Sequence, residues 1–134
     1  MAVWQYDLTM IPTGNLPVAT ICEELNSVLP ELDSWSKQLR IWGAMDGNRV
    51  DMFEDSDGVF FRIRIDLREP SIPFMRKILA LACRWRLTME DENGIQLQMS
   101  LEGLVSALKC SSAYRFVTDP AKYLSDLETE MTDK

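Results

Sequence analysis

Carboxylates are the side chains in this sequence best placed to do chemistry. Asp46, Asp51, Glu54, Asp55 and Asp57 crowd the stretch before a long alternating segment, and Asp66 lies near that segment's end. Two chemistries use such groups. An EF-hand calcium loop needs alternating oxygen ligands, glycine at its sixth position and glutamate at its twelfth. Counted from Asp46, the fifth and sixth positions are Val50 and Asp51. Counted from Asp55, Asp57 suits the third position but glycine arrives too early. Acid–base cleavage of a glycosidic bond needs two carboxylates flanking it. Asp51 and Asp66 fall on neighbouring predicted strands and could face each other. However, Asp66 shares its face with Arg62 and Arg64, so solvated cross-strand ion pairs explain these residues better than catalysis does.

The remaining catalytic vocabulary is missing from the sequence. With no histidine, the chain lacks the commonest general base, the Ser-His and Cys-His nucleophile pairs and the usual zinc ligand. Cys22, Cys83 and Cys110 have no CxxC spacing, which argues against a thiolate zinc or redox site. An odd number at no disulfide-framework spacing suggests buried, reduced thiols acting as small core hydrophobes. Neither GxGxxG nor GxxxxGK[ST] occurs, so both familiar phosphate cradles are missing. The reading is of a non-enzyme without cofactor or metal.

Binding chemistry is better represented. Val59, Phe61, Ile63, Ile65 and Leu67 alternate with Phe60, Arg62, Arg64 and Asp66, the period of a half-buried antiparallel strand. Phe60 therefore stands among charges, and Trp42 and Phe53 also fall out of apolar alternation. An aromatic ringed by charges has the composition of an interface hot spot. The candidate partner-binding set is Asp46, Asp51, Glu54, Asp55, Asp57, Phe60, Arg62 and Arg64. The competing reading places Phe60 in the core under the first or last helix. Arg84-Trp85-Arg86 reads as the basic, dipole-matched end of a helix, with Trp85 in the core.

These residues must be positioned by a short list of elements. Trp4, Tyr6, Leu8 and Met10 mark a first strand over about 3–11, and Pro12 to Asn15 stop it. A helix follows over about 17–29, ended by Pro30. Residues 31–37 read as a polar connection with Trp35 the conspicuous apolar residue. A three-stranded meander follows over about 38–42, 49–54 and 59–67, with Asp46-Gly47-Asn48 and Asp55-Ser56-Asp57-Gly58 as turns. Ser71 caps a second helix, with Pro73 in its first turn. Asn93-Gly94 marks a hairpin between strands over 87–91 and 95–99. Ser100 caps a third helix carrying Leu101, Leu104, Val105 and Leu108. Tyr114 to Val117 reads as extended, and Asp119-Pro120 opens a final helical turn or two through Leu127. The order β-α-β-β-β-α-β-β-α implies an α+β class, a two-layer sandwich of antiparallel sheet with helices on one face. Residues 1–127 form a single domain and 128–134 an acidic, frayed tail.

With 134 residues, 46% apolar and 26% charged, the chain can build one real core. A net charge of −7 disfavours nucleic acid, whose binding needs basic residues against phosphates. The same charge permits steering toward a cationic partner. The opening residues lack the basic and apolar regions of a signal peptide. No apolar run nears the roughly 20 residues that span a bilayer. The expected location is the cytoplasm, away from membranes, as a monomer or homodimer.

Trp4-Gln5-Tyr6-Asp7, Arg64-Ile65-Asp66-Leu67-Arg68 and Ser112-Ala113-Tyr114-Arg115-Phe116-Val117-Thr118-Asp119-Pro120 resemble segments of small bacterial α+β proteins similar to the immunity proteins of polymorphic toxin systems. The similarity spans nearly the whole chain and contains no catalytic signature. It implies an immunity protein that neutralises a cationic toxin domain by stoichiometric binding, with Asp66, Arg68 and Arg115 in structural ion pairs. A cytoplasmic secretion chaperone is the alternative, from its similar element order and acidity. A small metal-independent enzyme comes third.

Overall fold

The computed structural model describes residues 4–56 and 58–118. Its elements are β1 (Gln5–Pro12), α1 (Val18–Val28), β2 (Glu31–Leu32), β3 (Leu39–Gly43), β4 (Arg49–Asp55), β5 (Gly58–Asp66), α2 (Ile72–Arg84), β6 (Leu87–Glu90), α3 (Leu101–Lys109) and α4 (Ser112–Thr118). The six strands form one antiparallel sheet in the order β2-β3-β4-β5-β1-β6. The fold is the α+β sandwich that the element order implies.

Alternation along each strand decides which side faces the helices. Tyr6, Leu8 and Met10 of β1, Trp42 of β3, Val50 and Met52 of β4, and Phe61, Ile63 and Ile65 of β5 form one buried surface. Ile21, Cys22 and Leu25 of α1 pack on it, with Ile78 and Ala82 of α2, Leu104 and Leu108 of α3, and Ala113 of α4. Trp42 therefore belongs to the core rather than to the charged face. It is fully buried, and its indole N–H donates to Asn26 Oδ1 at 2.7 Å, so the one polar atom taken from water is paired.

Local chemistry explains the helix starts. Ser71 Oγ accepts from the Phe74 N–H at 3.2 Å and Ser100 Oγ from the Gly103 N–H at 3.0 Å, each satisfying an amide without a helical partner. Gly43 ends β3 at φ +109°, where a Cβ would run into the Asn48 carbonyl across the turn. The close approach brings Ala44 N to Asn48 O at 3.1 Å and closes the β3–β4 loop.

Several expectations need correction. Residues 31–37 are not only a connection, because Glu31–Leu32 pairs with Ile41–Trp42 as the sheet's edge strand. The second strand of the Asn93-Gly94 hairpin shrinks to a bridge between Glu90 and Gln96. Asp91 Oδ1 accepts from both Asn93 N and Ile95 N, a side-chain turn that takes up ladder donors. Ile95, 61% exposed, offers no buried face to hold a longer strand. Tyr114 to Val117 is helical, not extended: Ser111 Oγ accepts from Tyr114 N at 3.1 Å, and Ala113, Tyr114 and Val117 lie against the core at helical spacing. The final helical turn through Leu127 and the tail at 128–134 lie outside the described residues. Among the described residues no helix is long and apolar enough to cross a membrane.

The cysteines also divide. Cys22 is buried, whereas Cys83 of α2 and Cys110, the residue that caps the end of α3, are exposed. Burial pushes the Cys22 thiol up, which removes thiolate and access together. An alkylating reagent at neutral pH is therefore expected to label Cys83 and Cys110 promptly and to reach Cys22 only on unfolding. Mass spectrometry of the labelled native protein checks this, and rapid triple labelling would contradict the packing of α1.

Candidate functional site

The charged face of the sheet is built by register. Three cross-strand rows define it: Gly43, Arg49, Arg64 and Asp7; Ile41, Asp51, Arg62 and Thr9; and Leu39, Phe53 and Phe60. The first row places two guanidinium groups directly opposite each other, an arrangement that is repulsive unless each has its own counter-charge. Each does. Arg64 forms a two-pronged pair with Asp7 at 3.0 and 3.3 Å. Arg49 meets Asp51 through Nε–Oδ1 at 2.9 Å and Nη2–Oδ2 at 3.0 Å. The latter pair is buried, with side chains 9% and 5% exposed, and Arg49 Nη1 also donates to the Met45 carbonyl at 3.2 Å.

Asp51, expected on an acidic contact edge, is thus withdrawn from solvent and committed to Arg49. Asp66 is likewise committed. Its Oδ1 accepts from the Arg68 backbone N–H at 2.9 Å and from Nε at 3.1 Å, and its Oδ2 from Nη2 at 2.9 Å. Burial pushes the Asp66 carboxyl up, but these Arg68 donors prevail and hold it below the usual carboxylate range. The Asp66–Arg68 ion pair matches what the resemblance implied for those two residues. Asp51 stands opposite Arg62 and Asp66 opposite Gln5, so the two carboxylates do not face each other and form no acid–base dyad.

The other candidates separate by face. Asp46 lies exposed in the β3–β4 turn, its backbone carbonyl accepting from Arg68 Nη2 at 3.1 Å. Glu54 is exposed but alternates with Val50 and Met52, on the helix side of the sheet. Asp55 is exposed at the end of β4 on the charged face. Asp57 lies outside the described residues. Arg62 is exposed, with its guanidinium 5.3 Å from the centre of the Phe53 ring. Among the described residues, no three His, Cys, Asp or Glu side chains gather to hold a metal ion.

What the structure brings together is an aromatic pair with a charged rim. Phe53 and Phe60 stack across β4 and β5, ring centres 4.8 Å apart and planes 11° from parallel. Both are half-buried, neither core nor fully wet. Beside Phe60, Thr9, Ile11, Asp55 and Val59 enclose a shallow pocket of about 290 Å³. Arg62 over one ring supplies a cation–π contact. The residue that sequence reasoning undervalued is Phe53. Its place opposite Phe60 depends on register across the four-residue turn, which alternation within one strand does not supply.

No family model, no curated protein and no solved structure matches the chain.

Two predictions follow from the ion pairs. Asp51→Asn leaves a buried guanidinium uncompensated and is expected to cost about 3–5 kcal/mol in urea unfolding, whereas the double variant R49M/D51L recovers most of that loss. Equal destabilisation by both variants would show that the pair is not buried as described. For Asp66, the folded pKa lies below an unfolded value of about 3.9. Its stabilising contribution is therefore complete above about pH 4 and lost as pH falls through the lower folded value. Arg68→Ala should lower the urea midpoint at neutral pH and make stability less sensitive to acid. An unchanged acid limb would remove Asp66 from the account.

Proposed function

We propose that this chain is a non-enzymatic binding protein that neutralises a cationic bacterial toxin domain by stoichiometric contact. The observation that carries the reading is the half-exposed Phe53–Phe60 stack, capped by Arg62 and bordered by Asp55 and a shallow pocket. Rigid aromatic area surrounded by charge is what dominates protein interfaces energetically, because it desolvates fully while losing little side-chain entropy. A net charge of −7 supports a positively charged partner by speeding encounter and disfavouring acidic competitors. The immunity-protein resemblance of the sequence supports the same class of partner.

Within this reading the charged face has a division of labour. Asp51, Arg49, Arg64 and Asp7 hold the sheet's register through their mutual pairs. Phe53, Phe60, Arg62 and Asp55 meet the partner, with Asp46 contributing long-range attraction from the far turn. A secretion chaperone is the second reading. An apolar hollow along the outer side of α3, lined by Leu101, Val105 and Cys110, favours it, and a dimer in solution that captures a non-toxic secreted client would establish it.

The test is capture of partners from lysate of the source cells, followed by expression of the captured protein alone and together with this chain. The expected outcome is one stoichiometric, cationic protein that is toxic alone and harmless when co-expressed. Phe60→Ala should weaken that complex about 30-fold, a loss of about 2 kcal/mol. Asp55→Lys should mainly slow association, with a weaker dependence on salt. A toxin neutralised equally well by F60A would move the interface elsewhere. Capture of nothing would end the reading.

A further inference from the structure

A second polar site lies on the helix side of the sheet. β6 pairs with β1 only as far as Glu90 opposite Thr9. Beyond that point the chain leaves through the 91–94 turn, and the α3–α4 corner closes over the gap. The result is a cavity of about 310 Å³ lined by Tyr6, Asp91, Glu92, Leu97, Ala107 and Ser112, among others, with no basic residue in its wall.

Tyr6 makes this more than a group of acids. The residue is 5% exposed and lines the cavity, and among the described residues no side chain bonds its hydroxyl. The hydroxyl is not sealed from water; it opens into the cavity, where a ligand can take the place of solvent as its partner. Burial, Asp91 and Glu92 together push its titration up to about 12, so it stays a neutral donor and acceptor beside two carboxylates. Those carboxylates retain capacity. Asp91 uses Oδ1 for the turn amides, and Glu92 reaches the Asp7 N–H only through Oε1 at 3.5 Å. Neither Oδ2 nor Oε2 bonds a described residue. The wall carries no positive charge, and its two carboxylates face a single side-chain amide, that of Asn93.

We propose that this cavity receives an arginine side chain of the protein partner. The proposal rests on the reading of the chain as a binder of a cationic protein, and adds what that partner must present. A guanidinium supplies a planar fork of donors that matches two neighbouring carboxylates and the Tyr6 oxygen, and it stays charged at any working pH. Leu97 and Ala107 offer apolar wall for the alkyl stem. An ammonium would bring charge as a compact, strongly hydrated point without the fork.

The test uses the intact chain, isotope-labelled, titrated with acetyl-arginine amide and separately with acetyl-citrulline amide, its neutral counterpart of nearly equal shape. The arginine probe should shift the Tyr6, Glu92 and Ser112 resonances and saturate, while citrulline should leave them in place. Saturation should also lower the Tyr6 titration, followed through its ring carbon, because a cation beside the phenol favours the phenolate. Glu92→Gln should weaken probe binding about tenfold or more and Tyr6→Phe severalfold, each in a protein whose other resonances show an unchanged fold. Equal responses to the two probes, or none at Tyr6, would overturn the proposal. A captured toxin without probe binding defeats the cavity alone. Probe binding with no toxin captured keeps the cavity as an arginine site and defeats the toxin reading.

Discussion

Strand β5 is the constraint on which the other registers depend. It lies inside the sheet, bonded to β4 on one side and β1 on the other, and it has one strongly apolar face in Phe61, Ile63 and Ile65. A slip of one residue would send Arg62 and Arg64 into the core and expose three large apolar side chains. At roughly 1.5–3 kcal/mol for each apolar side chain, before the cost of burying charge, such a slip exceeds what a domain of this size can absorb. With β5 held, β4 must align Val50 with Ile63, and β1 must align Leu8 with Ile63. The core face is then complete, and every row on the opposite face is determined as well.

That determination creates a problem that the charged face resolves. Aligning the core puts Arg49 against Arg64, a like-charge pairing that no surface preference would select. Asp51 and Asp7 neutralise it from opposite sides, one within β4 and one from β1. The Arg49–Asp51 pair is buried, so its value lies less in net stability than in the penalty for breaking it. It makes a misregistered β4 expensive, which is a specificity device acting beside the hydrophobic one. The exposed pairs Arg40–Glu31 and Arg84–Glu24 have no such leverage, since ion pairs in solvent contribute about 0–1 kcal/mol.

This separation explains what could be read from the sequence and what could not. Periodicity within a segment is local, so the meander, the capped helices and the α+β class were readable from residues such as Ser71, Ser100 and the run from Val59 to Leu67. Relations between segments are not local. The burial of Asp51 depends on its neighbour Arg49 and on what surrounds β4, and the charge pattern alone presented it as solvated. Trp42 looked misplaced because it directly follows Ile41 and so breaks the apolar alternation, whereas Asn26 of α1 supplies its partner from sixteen residues away. The piece over 114–117 carried strand-forming side chains, yet packing of Ala113 against the core and a serine cap made it helical. Alternation grouped Tyr6 with Leu8 and Met10, but the opening at the end of its side chain depends on where β6 stops, which no pattern in β1 records.

The two candidate contacts occupy different faces and opposite ends of β1 and β5. Phe60 is next to Phe61, which pairs with Met10, whereas Tyr6 pairs with Ile65. Four residues of strand separate these positions, about 13 Å along the sheet. A partner engaging both must come around the β1–β6 edge, where β6 is short and residues 5–8 of β1 have a strand only on their β5 side. The edge is thus the natural route of approach, and Glu92, whose carboxylate meets the Asp7 amide there, replaces the missing strand with charge. An acidic edge of this kind discourages another strand from adding to the sheet while attracting a basic chain. The geometry therefore gives the aromatic stack and the cavity separable roles: desolvated aromatic area supplies affinity, and a carboxylate-bearing pocket without a basic residue in its wall supplies selection, because a partner without the matching cation leaves those carboxylates uncompensated.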